Sequence, residues 1–266
     1  MSTDTLWQDI KAQAQQQMLQ EPVLASFLHA TILNHDSLAC AVSFHLAQKL
    51  ESQEAPALLL REVIEQALHT EPSIILAIRA DLNAVLTRDS ACIYAIEPLL
   101  FFKGFHALQS YRISHWLWQQ GRTAMALFFQ NRISIVFGVD IHPAALIGEG
   151  IMFDHATGIV IGETAVIEDN VSIMQAVTLG GTGKESGDRH PKVRKGALIG
   201  AGAKILGNIE IGEGAKVAAG SVVLKRVKPH TTVAGVPAKA IGCPGCDQPA
   251  LTMDQNIKKD KVAEQV

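Results

Sequence analysis

The sequence predicts an α+β protein in which an N-terminal α-helical domain is followed by a left-handed parallel β-helix of hexapeptide repeats. One observation is a change of composition near residue 140. Of the 21 glycines, 17 lie between Ile141 and Gly242, whereas 13 of the 14 aromatic residues precede residue 141. The other is an apolar side chain at every sixth position beyond that point. We therefore expect a helical domain at 1–138, a β-helix at 139–242 and a flexible tail at 243–266.

The first region is predicted to contain six to eight helices. Proline suits the first turn of a helix because its missing N–H would have no partner there, and proline divides this region at Pro22, Pro56, Pro72 and Pro98. Between these positions apolar residues recur at helical spacing, as in Leu58, Leu59, Val63, Ile64, Ala67 and Leu68. This spacing predicts helices that each bury one face.

The second region contains thirteen positions at the six-residue period, all of them apolar: Ile141, Ile147, Phe153, Ile161, Ile167, Ile173, Leu179, Val193, Ile199, Ile205, Ile211, Val217 and Val223. A period of six does not match the 3.6-residue turn of an α-helix, which excludes amphipathic helices. In a β-helix each unit supplies one short strand and one turn, and three units make one coil. Residue i is then expected to stack on residue i+18 at about 4.8 Å.

Two insertions interrupt this period. Phe153 and Ile161 are eight residues apart instead of six, so two extra residues lie within 154–158. Leu179 and Val193 are 14 residues apart, so eight extra residues form a loop at 180–190. A regular solenoid needs no insertions, and each one costs ordering entropy. Both insertions place a histidine beside an Asp or an Arg, which indicates a functional site.

Composition excludes several classes of protein. A net charge of −3 argues against a nucleic-acid binder, which needs a basic surface. No apolar run approaches 18 residues, so we expect no contact with a membrane. The polar N-terminus does not have the pattern of a signal peptide, and four cysteines do not form a disulfide framework. We expect a cytoplasmic protein.

Two segments at the insertions are more specific than the repeat: Phe153-Asp154-His155-Ala156-Thr157-Gly158 and Gly187-Asp188-Arg189-His190-Pro191-Lys192. Together with residues 140–143, 178–184 and 234–238, they closely resemble the serine acetyltransferases of the hexapeptide acyltransferase superfamily. The helical region adds Arg88-Asp89 and residues 103–109 to this resemblance, which covers residues 5 to 242.

The resemblance implies an activity and an assembly. The reaction would transfer an acetyl group from acetyl-CoA to L-serine in cysteine biosynthesis, giving O-acetyl-L-serine and CoA without a metal. The family forms homohexamers, as dimers of trimers joined through the helical domains. Each active site would lie between adjacent β-helices and draw on two chains. L-cysteine is expected to inhibit at the serine site.

The resemblance also implies the catalytic residues. A serine hydroxyl is a poor nucleophile at neutral pH and needs a base that takes its proton during attack. By resemblance His155 is that base, and Asp140 accepts the other ring N–H and stabilises the imidazolium. The two residues are 15 positions apart, which is near one coil once the two inserted residues are counted.

Further residues are implied to bind the two substrates. Arg189 can hold the serine carboxylate through two parallel N–H bonds, and Asp154 and Asp89 can pair with the ammonium group. For His190 two roles stay open: binding polar groups of the substrate, or acting as a second acid–base residue. The residues expected to contact acetyl-CoA are Gly180, Gly181, Ala201, Ala219, Lys225 and Lys239.

The C-terminal region raises two further expectations. Cys243 and Cys246 form a CxxC pair, which we interpret as part of a tail without a redox function, because no second pair completes a metal site. In the family the last residues can cover the CoA site, and a terminal isoleucine can bind O-acetylserine sulfhydrylase. Here the last residue is Val266, one methylene shorter.

Three alternatives remain open. The first is an acyltransferase on the same scaffold with another acceptor, such as a sugar or an amine. The second is a γ-type carbonic anhydrase, which would gather three histidines such as His155, His190 and His230 around a metal between subunits. The third is a non-catalytic assembly protein, against which the presence of both His155 and Asp140 argues.

Overall fold

The structure, a computed structural model, describes residues 4–183 and 186–257. The expected number of helices is confirmed, since eight α-helices lie between residues 4 and 138. They are α1 Thr5–Gln20, α2 Ala25–Leu28, α3 Leu38–Leu50, α4 Ala57–Thr70, α5 Ser73–Arg88, α6 Ile96–Phe101, α7 Lys103–Gln119 and α8 Thr123–Phe137. Short 3₁₀ and π turns at Pro22–Leu24 and His29–Leu33 join the first helices. Pro56 and Pro72 each lie one residue before a helix, as the proline pattern predicts.

The second region is a parallel β-helix, which confirms the predicted fold class. Its strands are β1 Asp140–Ile141, β2 Leu146–Ile147, β3 Met152–Asp154, β4 Val160–Ile161, β5 Val166–Ile167, β6 Ser172–Met174, β7 Thr178–Gly180, β8 Lys192–Val193, β9 Leu198–Ile199, β10 Lys204–Leu206, β11 Glu210–Ile211, β12 Lys216–Val217, β13 Val222–Val223, β14 Thr232–Gly235 and β15 Ala238–Gly242. They form three sheets, in the orders β1-β4-β7-β10-β13 (sheet A), β2-β5-β8-β11 (sheet B) and β3-β6-β9-β12-β14-β15 (sheet C). Up to β12, successive strands pass from sheet A to B to C, so the chain winds around a three-sided prism.

The pairing register confirms both insertions. Without an insertion, paired residues are 18 apart, as in Ile161 with Leu179. Across the first insertion the separation is 20, as in Ile141 with Ile161, and across the second it is 26, as in Leu179 with Ile205. Twelve of the thirteen repeat positions are buried and Ile147 is partly buried. The periodic side chains therefore form the core of the prism, and the inserted residues lie at its edges.

Two edges of the prism are important for the site. The C–A edge, where sheet C passes to sheet A, comprises residues 154–159, 175–177, 200–203 and 218–221. The A–B edge, where sheet A passes to sheet B, includes residues 142–145, 162–165, 181–183, 186–191 and 207–209. Because the strands of sheet A are only two or three residues long, the two edges border one narrow face.

The helical domain is joined to the first coils by buried polar groups. Asp81 on α5 accepts two bonds from Arg112 on α7, at 3.0 Å from Nε and 2.6 Å from Nη2. Its other oxygen accepts from the backbone N–H of Ile151 at 2.8 Å. At the end of the same helix, Arg88 donates to Ser172 Oγ and Asn170 Oδ1, both at 3.1 Å. These bonds hold the C-terminal end of α5 against the β-helix.

Part of the segment expected to be a flexible tail is packed on the β-helix. The short helix α9, Pro249–Thr252, follows the last strand. Ala250 is fully buried; its N–H bonds to Gly196 O at 3.2 Å and its carbonyl accepts from Ser172 Oγ at 2.9 Å. Val266 lies outside the described residues. Within the described part of the chain, no helix combines the length and apolar character needed to cross a membrane.

Candidate active site

His155 lies on the C–A edge, directly after strand β3. His155 and Ala156 have φ angles of 54° and 61°, in the left-handed region that residues with a Cβ rarely adopt. This pair of residues turns the chain at the first insertion. The His155 side chain is 75% exposed, and its Nε2 lies 3.8 Å from Oδ1 of Asp154. Strained backbone that presents an exposed imidazole is typical of a functional site.

Asp154 also lies near Asp89, which follows the C-terminal end of α5. Burial raises the pKa of the Asp154 carboxyl above its usual range; the neighbouring His155 opposes this rise, and the charge of Asp89 adds to it. The structure therefore brings together three of the predicted residues, two carboxyl groups and one imidazole. In a cluster of this kind the carboxyl groups can hold a cation, and the imidazole can remove a proton from a neighbouring hydroxyl.

Asp140 lies near the same edge, but its side chain bonds elsewhere. Asp140 pairs with Val160, and each of these two residues begins a strand of sheet A. Val160 is five positions beyond His155 in the chain. Oδ1 of Asp140 accepts a bond of 2.7 Å from Nε2 of Gln130 on α8. Among the residues described, none of the bonds made by Asp140 or His155 joins one to the other. The proposed Asp140–His155 pair stays a prediction.

Arg189 and His190 lie on the A–B edge, at the end of the second insertion. Arg189 Nη2 bonds to Oε2 of Glu163 at 2.6 Å, and this bond lowers the pKa of Glu163. Burial lowers the pKa of His190, with Arg189 adding to the shift and Glu163 opposing it. Burial also lowers the pKa of His142, which lies on the same edge. These groups form a second cluster of charged and titratable side chains.

Glu163 and Thr164 also belong to this cluster, and neither was predicted from the sequence, although a signal for them exists. The second insertion stacks residues 26 apart, and 26 positions separate Glu163 from Arg189 and Thr164 from His190. The same offset that pairs Ile167 with Val193 therefore places these polar residues together. Gln130 carried no comparable signal, because no repeat relates α8 to β1.

The predicted acetyl-CoA residues lie on both edges. Ala201 and Ala219 are stacked on the C–A edge, where the N–H of Gly220 donates to the Ala201 carbonyl at 2.8 Å. They follow the same edge as His155, two and three coils further along. Gly180 ends strand β7, and the Cβ of an alanine at Gly181 would lie 3.5 Å from Cγ of Arg189. Lys225 and Lys239 are exposed, the former beyond β13 and the latter in β15.

The predicted residues thus fall into two groups on two edges of the prism. Asp89, Asp154 and His155 belong to the C–A edge, and Arg189 and His190 to the A–B edge. Within residues 4–183 and 186–257 no hydrogen bond or ion pair connects the groups. The described residues also contain no cluster of three His, Cys, Asp or Glu side chains suited to a metal ion. The expected site between adjacent chains stays a prediction.

Comparison with known proteins adds two family matches. Residues 6–110 match the family model described as the N-terminal domain of serine acetyltransferase. Residues 190–225 match the model described as bacterial transferase hexapeptide. The serine acetyltransferase of Salmonella typhimurium is 61% identical over 254 residues, covering 96% of this chain and 93% of that protein.

Solved structures are similar over almost the whole chain. A serine acetyltransferase in complex with cysteine superposes with a TM-score of 0.93 at 57% identity, covering 96% of this chain and 99% of that one. The serine acetyltransferase of Brucella abortus in complex with coenzyme A has a TM-score of 0.90 at 53% identity, covering 92% and 98%. Both protein domains are therefore shared with these relatives.

Proposed function

The chain belongs to the serine acetyltransferase family, an acyltransferase family, and from this we propose that it transfers the acetyl group of acetyl-CoA to the hydroxyl of L-serine. The products are O-acetyl-L-serine and CoA, and the reaction serves cysteine biosynthesis. The observation that carries this proposal is the position of His155: an exposed imidazole on strained backbone, 3.8 Å from a half-buried carboxyl.

The proposed chemistry is a direct transfer. The neutral imidazole of His155 removes the proton from the serine hydroxyl while its oxygen attacks the thioester carbon. The C–S bond breaks as the tetrahedral intermediate collapses, and the imidazolium returns the proton to the CoA thiolate. Asp140 is proposed to stabilise that imidazolium, which requires its carboxylate to exchange Gln130 for His155 or for the His155 of an adjacent chain.

Recognition of serine is proposed to use both edges. Asp89 and Asp154 pair with the ammonium group, which offsets the repulsion between these two carboxylates. Arg189 from the adjacent chain holds the carboxylate. Since Arg189 is paired with Glu163 at 2.6 Å in the single chain, the substrate carboxylate shares or replaces that partner.

Acetyl-CoA is proposed to lie along the C–A edge. The stacked Ala201 and Ala219 allow close approach of the pantetheine arm to backbone groups, and both are in line with His155. Gly180 and Gly181 flank the thioester, and Lys225 and Lys239 meet the phosphates. The relative from Brucella abortus with bound coenzyme A supports this ligand.

Assembly and regulation belong to the same proposal. Sites between adjacent β-helices imply a trimer, and two trimers joined through the helical domains give a homohexamer. L-cysteine is proposed to inhibit by occupying the serine contacts, which the relative in complex with cysteine supports. We also propose the domain limits 138/139 and 242/243, action in the cytoplasm, and binding of O-acetylserine sulfhydrylase by the last residues.

The test is release of the CoA thiol from acetyl-CoA, measured with and without L-serine. The wild-type protein is expected to release CoA only with serine, and His155→Ala is expected to lose this activity. His69→Ala, which changes an exposed histidine on α4, is the matched control. Absence of serine-dependent release between pH 6 and 9 would refute the proposed acceptor, and release by His155→Ala would refute the proposed base.

A further inference from the structure

Thr164 on the A–B edge contacts both Arg189 and His190. Its Oγ1 accepts bonds from the backbone N–H of Arg189 at 3.0 Å and of His190 at 3.1 Å. The same oxygen lies 2.9 Å from Nδ1 of the His190 ring. A threonine hydroxyl has two lone pairs and one proton. Because two N–H groups occupy the lone pairs, the hydroxyl proton has two acceptors within reach, Nδ1 of His190 and the carboxylate of Asp188.

The backbone N–H of Thr164 shows that Nδ1 acts as an acceptor. It points at Nδ1 of His190 with an N···N distance of 3.2 Å. A proton on Nδ1 would therefore face another N–H. A neutral imidazole has one protonated nitrogen, and the bond made by one nitrogen decides where that proton lies. The His190 ring must carry its proton on Nε2.

The ring is also fixed by packing. It lies directly over Gly162, where the Cβ of any other residue would overlap Cδ2 and Nε2 of the ring. His190 is only 7% exposed. Lys192 donates to the carbonyls of Thr164 at 2.7 Å and His190 at 2.9 Å, which ties the two backbones together. Among the described residues nothing bonds to Nε2, so its N–H is free for a ligand.

We propose that Thr164 is a positioning residue of the acceptor site: it holds His190 as the neutral Nε2–H tautomer and aims Arg189 beside it. The proposal rests on the proposed function. His190 then donates a hydrogen bond to the substrate carboxylate that Arg189 holds, and it does not act as a second base. This decides between the two roles that the sequence left open for His190.

The charges around the ring agree with this assignment. His190 faces Arg189, Lys192, His142 and Glu163. Burial and the first three groups lower the pKa of His190, and only Glu163 raises it. The neutral ring is therefore the form present near pH 7. A neutral donor adds a directed bond beside the Arg189 charge without adding a second full charge to be desolvated.

The first test compares Thr164→Val with Thr164→Ser, which restores the hydroxyl. Thr164→Val is expected to raise the KM for L-serine roughly tenfold, as expected for loss of a hydrogen bond that positions a charged group. The KM for acetyl-CoA should stay within about twofold of wild type, and Thr164→Ser should recover most of the serine affinity. An unchanged serine KM, or equal losses for both substrates, would overturn the proposal.

The second test does not depend on the stability of Thr164 variants. Glutamine can place an amide N–H near the position of ring Nε2, whereas the shorter asparagine cannot. His190→Gln is expected to retain more serine affinity than His190→Asn and to keep the wild-type pH profile of kcat. Loss of kcat to background in His190→Gln at all pH values would overturn the donor assignment. A wild-type protein with no serine-dependent activity would instead contradict the proposed function.

Discussion

Nε2 of His155 lies 3.8 Å from Oδ1 of Asp154, and the same carboxyl is near Asp89. Two carboxyl groups and one imidazole therefore share one corner of the β-helix. Repulsion between the carboxylates adds to the raised pKa of Asp154, and the imidazole opposes it. The balance of charge at this corner depends on all three residues, so changing one should alter the titration of another.

We predict that Asp89→Asn lowers the pKa of Asp154. Removing the like charge makes the ionised form of Asp154 less costly, so the midpoint of the Asp154 carboxyl titration, followed by its carbon NMR resonance, should move to lower pH. The KM for serine should also rise roughly tenfold, because one partner of the ammonium group is lost. Initial rates of CoA release measure the KM effect.

Glu213→Gln is the control for this prediction, because Glu213 is an exposed acid elsewhere on the β-helix. It changes the net charge by the same amount and should leave the titration of Asp154 unchanged. The same titration midpoint for Asp154 in Asp89→Asn and in wild type would show that the two carboxyls do not interact.

The fold was predictable because its signal is local and repeated. Each of the thirteen apolar positions contributes to one period, and the two insertions set the offsets of 20 and 26 residues that the pairing shows. The contact of Glu163 with Arg189 follows from the offset of 26. A polar residue in one coil could thus have been assigned its neighbour in the next.

Contacts between the helical domain and the β-helix could not be predicted in this way. Gln130 bonds to Asp140, and Arg88 to Ser172, because whole helices dock on the first coils. That docking depends on the packing of many side chains and leaves no period in the sequence. The grouping of Asp89 with Asp154 depends on the same docking, which explains why a family motif, rather than spacing, pointed to Asp89.

Gly104→Ala is predicted to damage both stability and activity. Gly104 lies in the first turn of α7, where an added Cβ would overlap the carbonyl oxygen of Phe153 and lie 3.1 Å from Cβ of Ala156. Relieving this overlap moves α7 away from the corner that carries His155. We expect a loss of about 1–3 kcal/mol in the free energy of unfolding, as for other overpacked sites. Urea unfolding and kcat would measure the two effects, and a variant with wild-type values for both would contradict the close packing.

Arg112→Met is predicted to destabilise the junction between the domains. Asp81 is completely buried, and Arg112 is its partner at 2.6 Å. Removing one member of a buried ion pair leaves an uncompensated charge and typically costs about 3–5 kcal/mol. Arg61→Met, which breaks the partly exposed Arg61–Glu65 pair on α4, is the matched control and should cost about 1 kcal/mol or less. Urea unfolding at one protein concentration compares them, and equal losses would contradict the argument.

His45 and His106 predict a loss of stability in mild acid. Their rings contact each other in the core of the helical domain, with centroids 5.0 Å apart. Each ring bonds through Nε2 to a carbonyl at the end of α6, His45 to Leu100 at 3.2 Å and His106 to Leu99 at 2.9 Å. Burial lowers the pKa of His45 to about 4 and that of His106 to about 3. Both histidines are therefore neutral donors in the folded protein.

Because these folded-state pKa values lie below the unfolded value of about 6.5, the unfolded chain binds more protons in acid. The two neutral histidines make their full contribution to the free energy of unfolding above pH 6.5, and this contribution declines as the pH falls toward 4. Between pH 6.5 and 5 the free energy of unfolding should fall by about 2 kcal/mol for each histidine. His106→Gln should remove about half of this decline, whereas His69→Gln at an exposed site should remove none. Urea unfolding at pH 7 and pH 5, at one protein concentration, tests this; a decline of equal size in His106→Gln and wild type would place its origin elsewhere.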